Sequence, residues 1–284
     1  MFVIIGLVFI IGCVIAGFTM AGGKVGELFH ASELISLGGM MIGTLVIMSP
    51  IKVLKGVISQ SLGTLKGAPY SKADYEDLMK CLYELFLLGR RGGMIALEEH
   101  VMNPEGSSLF KKYPKFHADH HAIEFLCDGL KPIVDGRIKP DQLEPLLDCT
   151  LHVMHEEHHA PVAVLNKVGD SMPAFGIVAA VLGIVITMGK IGGDTAKVGG
   201  SIAAALTGTF LGIFASYGVI GPIAMNCEFG GHAHMNFLKC IKACVISFAN
   251  GMPPLVAVEV GRRTLEEDMR PSSAELETML KTLK

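Results

Sequence analysis

Between Ser171 and Asn226 the chain has two long apolar stretches that contain no Asp, Glu, Lys, Arg or His. Each is long enough to cross about 30 Å of hydrocarbon at a helical rise of about 1.5 Å per residue. Both are rich in Gly, Ala, Ser and Thr, which allow transmembrane helices to pack closely against one another. We therefore predict a hairpin of two packed membrane helices. If it lines an ion path, the titrating group must come from another chain.

The composition fits an integral membrane protein with a sizeable polar part. The 284 residues are 50% hydrophobic and 18% charged, and the mean hydropathy is +0.48. A net charge of -3 gives no basic surface for nucleic acid, so we expect no such partner. The seven Cys include no CxxC pair, which argues against a disulfide framework or zinc ribbon. There is no P-loop, GxSxG or dinucleotide fingerprint, so we expect neither an enzyme nor a cofactor.

The pattern predicts an all-α integral membrane protein with four transmembrane helices and a helical cytoplasmic domain. The expected spans are about 1–21, 33–51, 171–190 and 199–222. Residues 52–170 would form the cytoplasmic domain and 223–284 a cytoplasmic tail. The first apolar run lacks the basic start of a signal peptide, so we interpret it as a retained helix.

Basic residues predict how the spans are oriented. Those in the long segments near the membrane are Lys52, Lys55, Lys66, Lys167, Lys239, Lys242, Arg262 and Arg263. The two short connections hold only Lys24, Lys190 and Lys197. The positive-inside tendency then puts the long segments and both termini in the cytoplasm. The spans themselves are expected to contact membrane lipid.

Apolar periodicity predicts helices in the polar segments as well. Ser71–Met102 is predicted to be one helical region interrupted near Gly92. Further helices are expected over 117–135 and 140–167, and the pattern leaves open whether the latter continues into the third span. A capping box at Ser272 would open a last helix. Arg90 and Glu98 lie a little over two turns apart, so we expect both charges on one side of a helix.

Two prolines bracket the apolar hairpin. Pro173 is expected at the first turn of the third span, where its missing N–H costs little. Pro222 follows a long helical run, so we expect it to kink or end the helix and to free a carbonyl. Thr207 and Thr209 add hydroxyls able to hold an ion or water, although membrane Thr more often bonds a preceding carbonyl.

Histidines form two clusters. One is His117, His120 and His121 with Asp119, and the other is His152, His155, His158 and His159 with Glu156 and Glu157. Helical spacing puts several of these side chains on one face, which leaves a metal site open as an alternative. We favour a solvated, pH-responsive helix, because nothing in the sequence marks the supporting shell that a metal site needs.

Two motifs carry a resemblance to a known family. Val168–Ala180 reads VGDSMPAFGIVAA, and Ala205–Gly212 reads ALTGTFLG and runs on to Pro222. With the Gly261–Leu265 motif, they resemble the MotA/PomA family of flagellar stator subunits, related to ExbB and TolQ, over nearly the whole chain.

The resemblance implies a partner and an assembly. It implies a pentameric ring around two MotB-like B subunits, which supply the proton-binding membrane Asp. It gives Arg90 and Glu98 the role of engaging the rotor switch protein FliG. Pro173, Ala180, Thr209 and Pro222 would lie along the ion pathway and couple it to conformational change. Sodium-type relatives have Thr where this chain has Ala180, so we favour protons as the transported ion.

Two other functions stay open. An ExbB- or TolQ-like energiser of outer-membrane transport would share the inner spans, but those relatives have three spans. A metal-binding membrane protein would use the histidine clusters.

Overall fold

The structure is a computed structural model that describes residues 2–189 and 195–283. Within those ranges it is all helical, with no strand. The helices are α1 (Phe2–Met20), α2 (Ala31–Met48), α3 (Ile51–Thr64), α4 (Lys72–Gly92), α5 (Ile95–Met102), α6 (Pro114–Ala118), α7 (His120–Val134), α8 (Pro140–Met188), α9 (Thr195–Ile213), α10 (Gly221–Ala249), α11 (Pro254–Arg263) and α12 (Ser273–Lys281). Short 3₁₀ turns occupy Val25–Leu28 and Phe110–Lys112, and Phe214–Ile220 is π-helical.

Four helical segments are long and apolar enough to cross a membrane. They are Phe2–Met20, Val25–Met48, Pro140–Met188 and Val198–Ala249. The predicted fold class, an all-α membrane protein with four spans, is therefore confirmed. Of the connection expected over 191–198, residues 191–194 lie outside the described residues, as does Lys190, and residues 195–198 belong to α9.

Several predicted helices are present in the polar segments. The region 71–102 is two helices, α4 and α5, separated at Gly93, whose φ is +75°. This left-handed conformation is one that glycine adopts without strain. The helix predicted from residue 140 does continue into the third span, because α8 runs without interruption for 49 residues. Ser272 and Glu275 form the predicted capping box at the start of α12.

The chain divides into two compact units, whose boundaries fall within α8 and α10. The first, the membrane unit, comprises the residues up to Gly67 and Glu157–Gly230. Its surface carries many exposed apolar side chains, such as Phe9, Ile47 and Val185. None of the described residues of α1 is buried within the chain. A surface of this kind is covered by lipid or by other membrane helices.

The second unit, the head unit, comprises Ala68–Glu156 and Gly231–Lys284. It has an ordinary hydrophobic core built on α4, α7 and α10, with Leu82, Leu126 and Leu238 fully buried. Aromatic pairs strengthen it, since the Phe86 and Phe248 rings stack with centroids 4.3 Å apart. The head unit therefore folds like a soluble helical domain.

The Gly261–Leu265 motif belongs to the packing of the head unit. A Cβ atom on Gly261 would clash with the Cys244 sulfur, so only glycine lets α11 approach α10 so closely. The Arg262 guanidinium donates to both oxygens of Glu259 at 2.7 Å and to the Pro271 carbonyl at 2.9 Å. The hydrogen bonds from Arg262 to the Glu259 carboxylate, with the one from Arg263, lower the pKa of Glu259 to about 2. The motif thus fastens α11 to its neighbours.

Candidate functional site

The two inner membrane helices touch backbone to backbone. A Cβ atom on Gly212 of α9 would lie 2.6 Å from the Met172 carbonyl oxygen and 2.9 Å from the Gly176 Cα of α8. One on Gly176 would lie 2.9 Å from the Gly208 carbonyl oxygen. Further along, one on Gly183 would lie 2.9 Å from the Ala205 Cβ. The small residues of the hairpin therefore form a continuous contact line, which we call the α8–α9 seam.

Three of the predicted pathway residues lie along this seam. Pro173 and Ala180 are seven residues apart on α8, hence on one face, and both are partly exposed. The Thr209 hydroxyl of α9 donates to the Gly176 carbonyl of α8 at 3.4 Å, at a level between the two. Thr209 is also partly exposed. The apolar stretches 171–189 and 198–213 contain no charged side chain, and Thr209 places a hydroxyl across the seam between them.

The structure corrects the expectation for Pro173. The residue lies deep inside α8, which begins at Pro140, and not at a first helical turn. Its missing N–H therefore leaves the Gly169 carbonyl without the usual helical partner. The sequence left open whether the helix predicted over 140–167 continued into the third span, and the structure shows that it does.

Pro222 lies just beyond a change of helical register. The π-helical segment Phe214–Ile220 precedes it, and the Gly221 N–H donates to the Ser216 carbonyl five residues back. The helix then continues as α10, so of the two outcomes expected at Pro222, a kink or an end of the helix, the end is wrong. A wider π turn before a proline leaves room for a residue that cannot donate a hydrogen bond, and such turns are frequent at functional sites. The side chain of Pro222 is exposed.

Enlarging Gly212 is expected to separate the two helices. In Gly212→Ala the new methyl would meet backbone atoms of Met172 and Gly176, which cannot move without shifting α8. We expect a loss of about 1–3 kcal/mol in stability, as for other overpacked sites. Thermal unfolding of the purified protein in detergent measures it. Gly200→Ala, on the same helix with open space around it, is the control, and an equal loss in both variants would contradict the seam.

Arg90 and Glu98 are not on one helix, contrary to expectation. Arg90 lies at the end of α4 and Glu98 in the first turn of α5, beyond the break at Gly93. They are nevertheless held near the same buried junction. A Cβ atom on Gly89 would lie 3.0 Å from the Leu97 side chain and 2.9 Å from that of Phe248.

Both charged side chains are exposed next to this junction. Neither has an ion-pair partner within the described part of the chain. Ile95, between them in sequence, is 81% exposed although large and apolar. Two opposite charges beside an exposed apolar side chain suit recognition more than stability, since exposed charges contribute little to folding.

The histidine clusters do not assemble into a metal site. No group of three His, Cys, Asp or Glu side chains in the described ranges is placed to hold a metal ion. Asp119 instead caps α7 by accepting from the Ala122 N–H at 3.1 Å, and it accepts from the Tyr70 hydroxyl at 2.6 Å. On α8, Glu157 pairs with Lys52 and the His158 carbonyl accepts from Gln60. These residues connect helices within their own units.

One residue of the membrane unit was missed from the sequence. Glu33, near the start of α2, is only 6% exposed although it is a carboxylic acid in a membrane span. Its signal in the sequence is a single acid at the first position of the predicted second span, 33–51.

Comparisons with known proteins identify the family. The family described as Motility protein A N-terminal matches residues 4–93, and the MotA/TolQ/ExbB proton channel family matches 117–227. The chain is 36% identical over 284 residues to Motility protein A of Escherichia coli strain K12, covering 100% of this chain and 96% of that protein. The chain belongs to the Motility protein A family. A second member, Chemotaxis protein LafT of Vibrio parahaemolyticus, is 34% identical over 97% of each chain.

Two solved structures share the fold of this Motility protein A family member. C. jejuni MotAB matches with a TM-score of 0.78 at 20% identity, over 95% of this chain and 98% of that one. The flagellar MotAB stator complex from Bacillus subtilis matches with a TM-score of 0.74 at 22% identity, over 97% and 98%. The resemblance of the VGDSMPAFGIVAA and ALTGTFLG motifs to the MotA family is confirmed.

Proposed function

We propose that this chain is the A subunit of a bacterial flagellar stator, which forms with a B subunit a proton-conducting channel and converts proton flow into torque on the rotor. One observation carries the proposal. At the α8–α9 seam the partly exposed Thr209 bonds across to α8 at a level between Pro173 and Ala180, and the stretches 171–189 and 198–213 contain no charged side chain. A path built this way needs a titrating group from another helix.

A MotB-like B subunit is the proposed source of that group. Its membrane Asp would face the seam and take up and release the proton. The relatives of known structure from C. jejuni and B. subtilis are MotAB complexes, which supports the same pairing here.

Self-association as a ring, with five copies around two B subunits, is the proposed assembly. Beside the seam, α8 exposes a run of large apolar side chains that the chain itself does not cover, including Ile177, Val181 and Ile184. Neighbouring copies and the partner's helix would cover part of this surface, and lipid the rest.

The proposed orientation has the head unit, both termini and the long loop in the cytoplasm, with the spans in the inner membrane. The basic residues that flank the spans on the side of the long segments support it. Arg90 and Glu98 would then be exposed where a cytoplasmic rotor ring can reach them. We propose the rotor switch protein FliG as their partner, engaged through complementary charges.

The mechanism follows from these parts. A proton that neutralises the partner's Asp removes the cost of keeping that charge in the membrane, and the ring can then step around the B subunits. Pro173 removes one hydrogen bond inside α8 and Pro222 follows the π-helical segment, so both would let the seam change shape and pass the movement to the head unit. The head unit pushes on the rotor through Arg90 and Glu98.

Protons are the proposed ion, because Ala180 lacks the hydroxyl that would help coordinate a sodium ion. The test is swimming speed in a strain that lacks its own stator and expresses this chain with its B subunit. We expect speed to fall to zero with a protonophore and to be unchanged when sodium is removed. Dependence on sodium, with resistance to the protonophore, would overturn the choice of ion.

The two alternative functions are not favoured. Full-length similarity to Motility protein A and the four spans both separate the chain from a three-span energiser of the ExbB or TolQ type. Among the histidines that suggested a metal-binding protein, His158 makes hydrogen-bonded contacts with Gln60 of α3 instead.

A further inference from the structure

The buried carboxyl of Glu33 lies where three membrane helices meet. A Cβ atom on Gly208 of α9 would lie 2.6 Å from Glu33 Oε2 and 3.3 Å from the Ala179 Cβ of α8. The absence of a side chain at Gly208 is therefore what makes room for the acid. Gly208 and Ala179 are the direct sequence neighbours of Thr209 and Ala180, so the carboxyl lies immediately behind the proposed proton path.

This carboxyl has little to compensate its burial. Within the described residues Oε2 accepts no hydrogen bond. The polar side chains close enough to interact with Glu33 are His30 and Ser32, and the buried Nδ1 of His30 likewise has no hydrogen-bond partner in the described part of the chain. The facing stretches, 171–189 of α8 and 198–213 of α9, contribute no titratable side chain.

A buried acid with one unsatisfied oxygen is costly to keep in a membrane span, although Ser32 hydrogen-bonds its carboxyl. A polar atom buried there without a partner costs free energy, and more so when the group is charged. A hydrophobic residue in the same position would pack against Gly208 and Ala179 without that cost. The carboxyl is therefore better explained by a proton that it binds and releases than by stability.

A short route connects this acid to water. The 3₁₀ turn Val25–Leu28 precedes α2, and Glu27 within it and Lys24 just before it are exposed. Further along, His30 is partly exposed and Glu33 is buried. The Thr207 hydroxyl reaches back to the Glu27 carbonyl at 3.5 Å, so α9 contacts this turn directly. His30 and Glu33, one helical turn apart, thus lead from the exposed end of α2 towards the seam.

We propose that Glu33, with His30, is a proton-binding site of this chain that passes protons between the exposed end of α2 and the α8–α9 seam. In one step a proton leaves water or the His30 imidazolium and joins a Glu33 oxygen. In the next step the proton leaves that oxygen for the membrane Asp of the B subunit proposed above. Nothing is oxidised or reduced in either step. The inference deepens the proposed function and rests on it.

The test compares matched variants in the complete complex. The chain and its B subunit are reconstituted together in lipid vesicles, and proton entry is followed with a dye inside them. Glu33→Gln keeps the shape of the side chain but cannot carry a proton. We expect proton entry to fall by about 100-fold, the lower end of what a positioned proton-transfer group contributes. Glu27→Gln, which removes an exposed acid nearby, should conduct normally.

A second measurement separates proton binding from a packing role. Infrared spectra of the wild-type complex should show a protonated-carboxyl band that changes with pH, is lost in Glu33→Gln and persists in Glu27→Gln. If Glu33→Gln does not assemble, Gly208→Ala serves instead, because its methyl would displace the carboxyl and shift the band. Normal conduction by Glu33→Gln, or no such band, would overturn the inference.

These results also distinguish the two levels of the proposal. If the wild-type complex carried no protons at all, the proposed function would fail, whatever Glu33 does. If the wild type conducted and Glu33→Gln conducted equally, only the role of Glu33 would be wrong.

Discussion

Reversing the charges of Arg90 and Glu98 together should abolish swimming while leaving proton conduction intact. In the variant Arg90→Glu with Glu98→Lys, each contact with a complementary rotor surface becomes a repulsion between like charges. Reversal at a recognition surface costs about 1 kcal/mol or more per contact and mainly disrupts docking. Both residues are exposed at the ends of separate helices, so the head unit should still fold.

Three measurements are needed on this variant: swimming speed, proton entry into vesicles and thermal stability of the complex. The matched control is Glu277→Lys with Lys281→Glu on α12, an exposed pair at 3.5 Å whose exchange keeps the net charge. We expect the control to swim normally. A parallel loss of conduction and swimming in the Arg90 and Glu98 variant would argue against docking as the role of these charges.

Replacing either proline of the membrane unit by alanine should also stop swimming, at normal protein levels. Alanine at position 173 supplies the N–H that the Gly169 carbonyl lacks, so α8 becomes a regular helix, and a proline inside a helix costs about 3 kcal/mol relative to alanine. Pro222→Ala similarly removes the reason for the π-helical register before it. Both variants should therefore be at least as stable as the wild type, yet less active.

Pro145 is the control for a general effect of losing a proline from α8. It lies in the same helix, is exposed and belongs to the head unit, so Pro145→Ala should leave swimming unchanged. Membrane levels of each variant are measured by immunoblot beside swimming speed. Normal swimming by both Pro173→Ala and Pro222→Ala strains would show that the effect of these prolines on the helices is not part of the mechanism.

The sequence predicted the fold well where a short stretch of residues determines the local structure. Four apolar stretches long enough to span a bilayer, the break in the helix near Gly92 and the capping box at Ser272 are all present in the structure. Each of these is a local pattern with a direct physical cause, such as the length of hydrocarbon to be crossed or the glycine at a positive φ.

What the sequence did not reveal depends on contacts between distant segments. The sequence left open whether the helix over 140–167 continued into the third span, and the structure places Pro173 inside the continuous α8 and not at a first helical turn. Arg90 and Glu98 were expected on one helix, but they lie on α4 and α5, which pack together where Gly89 meets the Leu97 side chain. The depth of Glu33 likewise depends on Gly208, which lies 175 residues further along the chain.

The central claim is that this chain supplies one part of a proton path and a B subunit supplies the other. The most direct measurement is proton entry into vesicles containing this chain alone, the complex, or the complex whose partner carries Asn in place of its membrane Asp. We expect proton entry with the intact complex only. Conduction by this chain alone, or by the complex without the partner's Asp, would contradict the account.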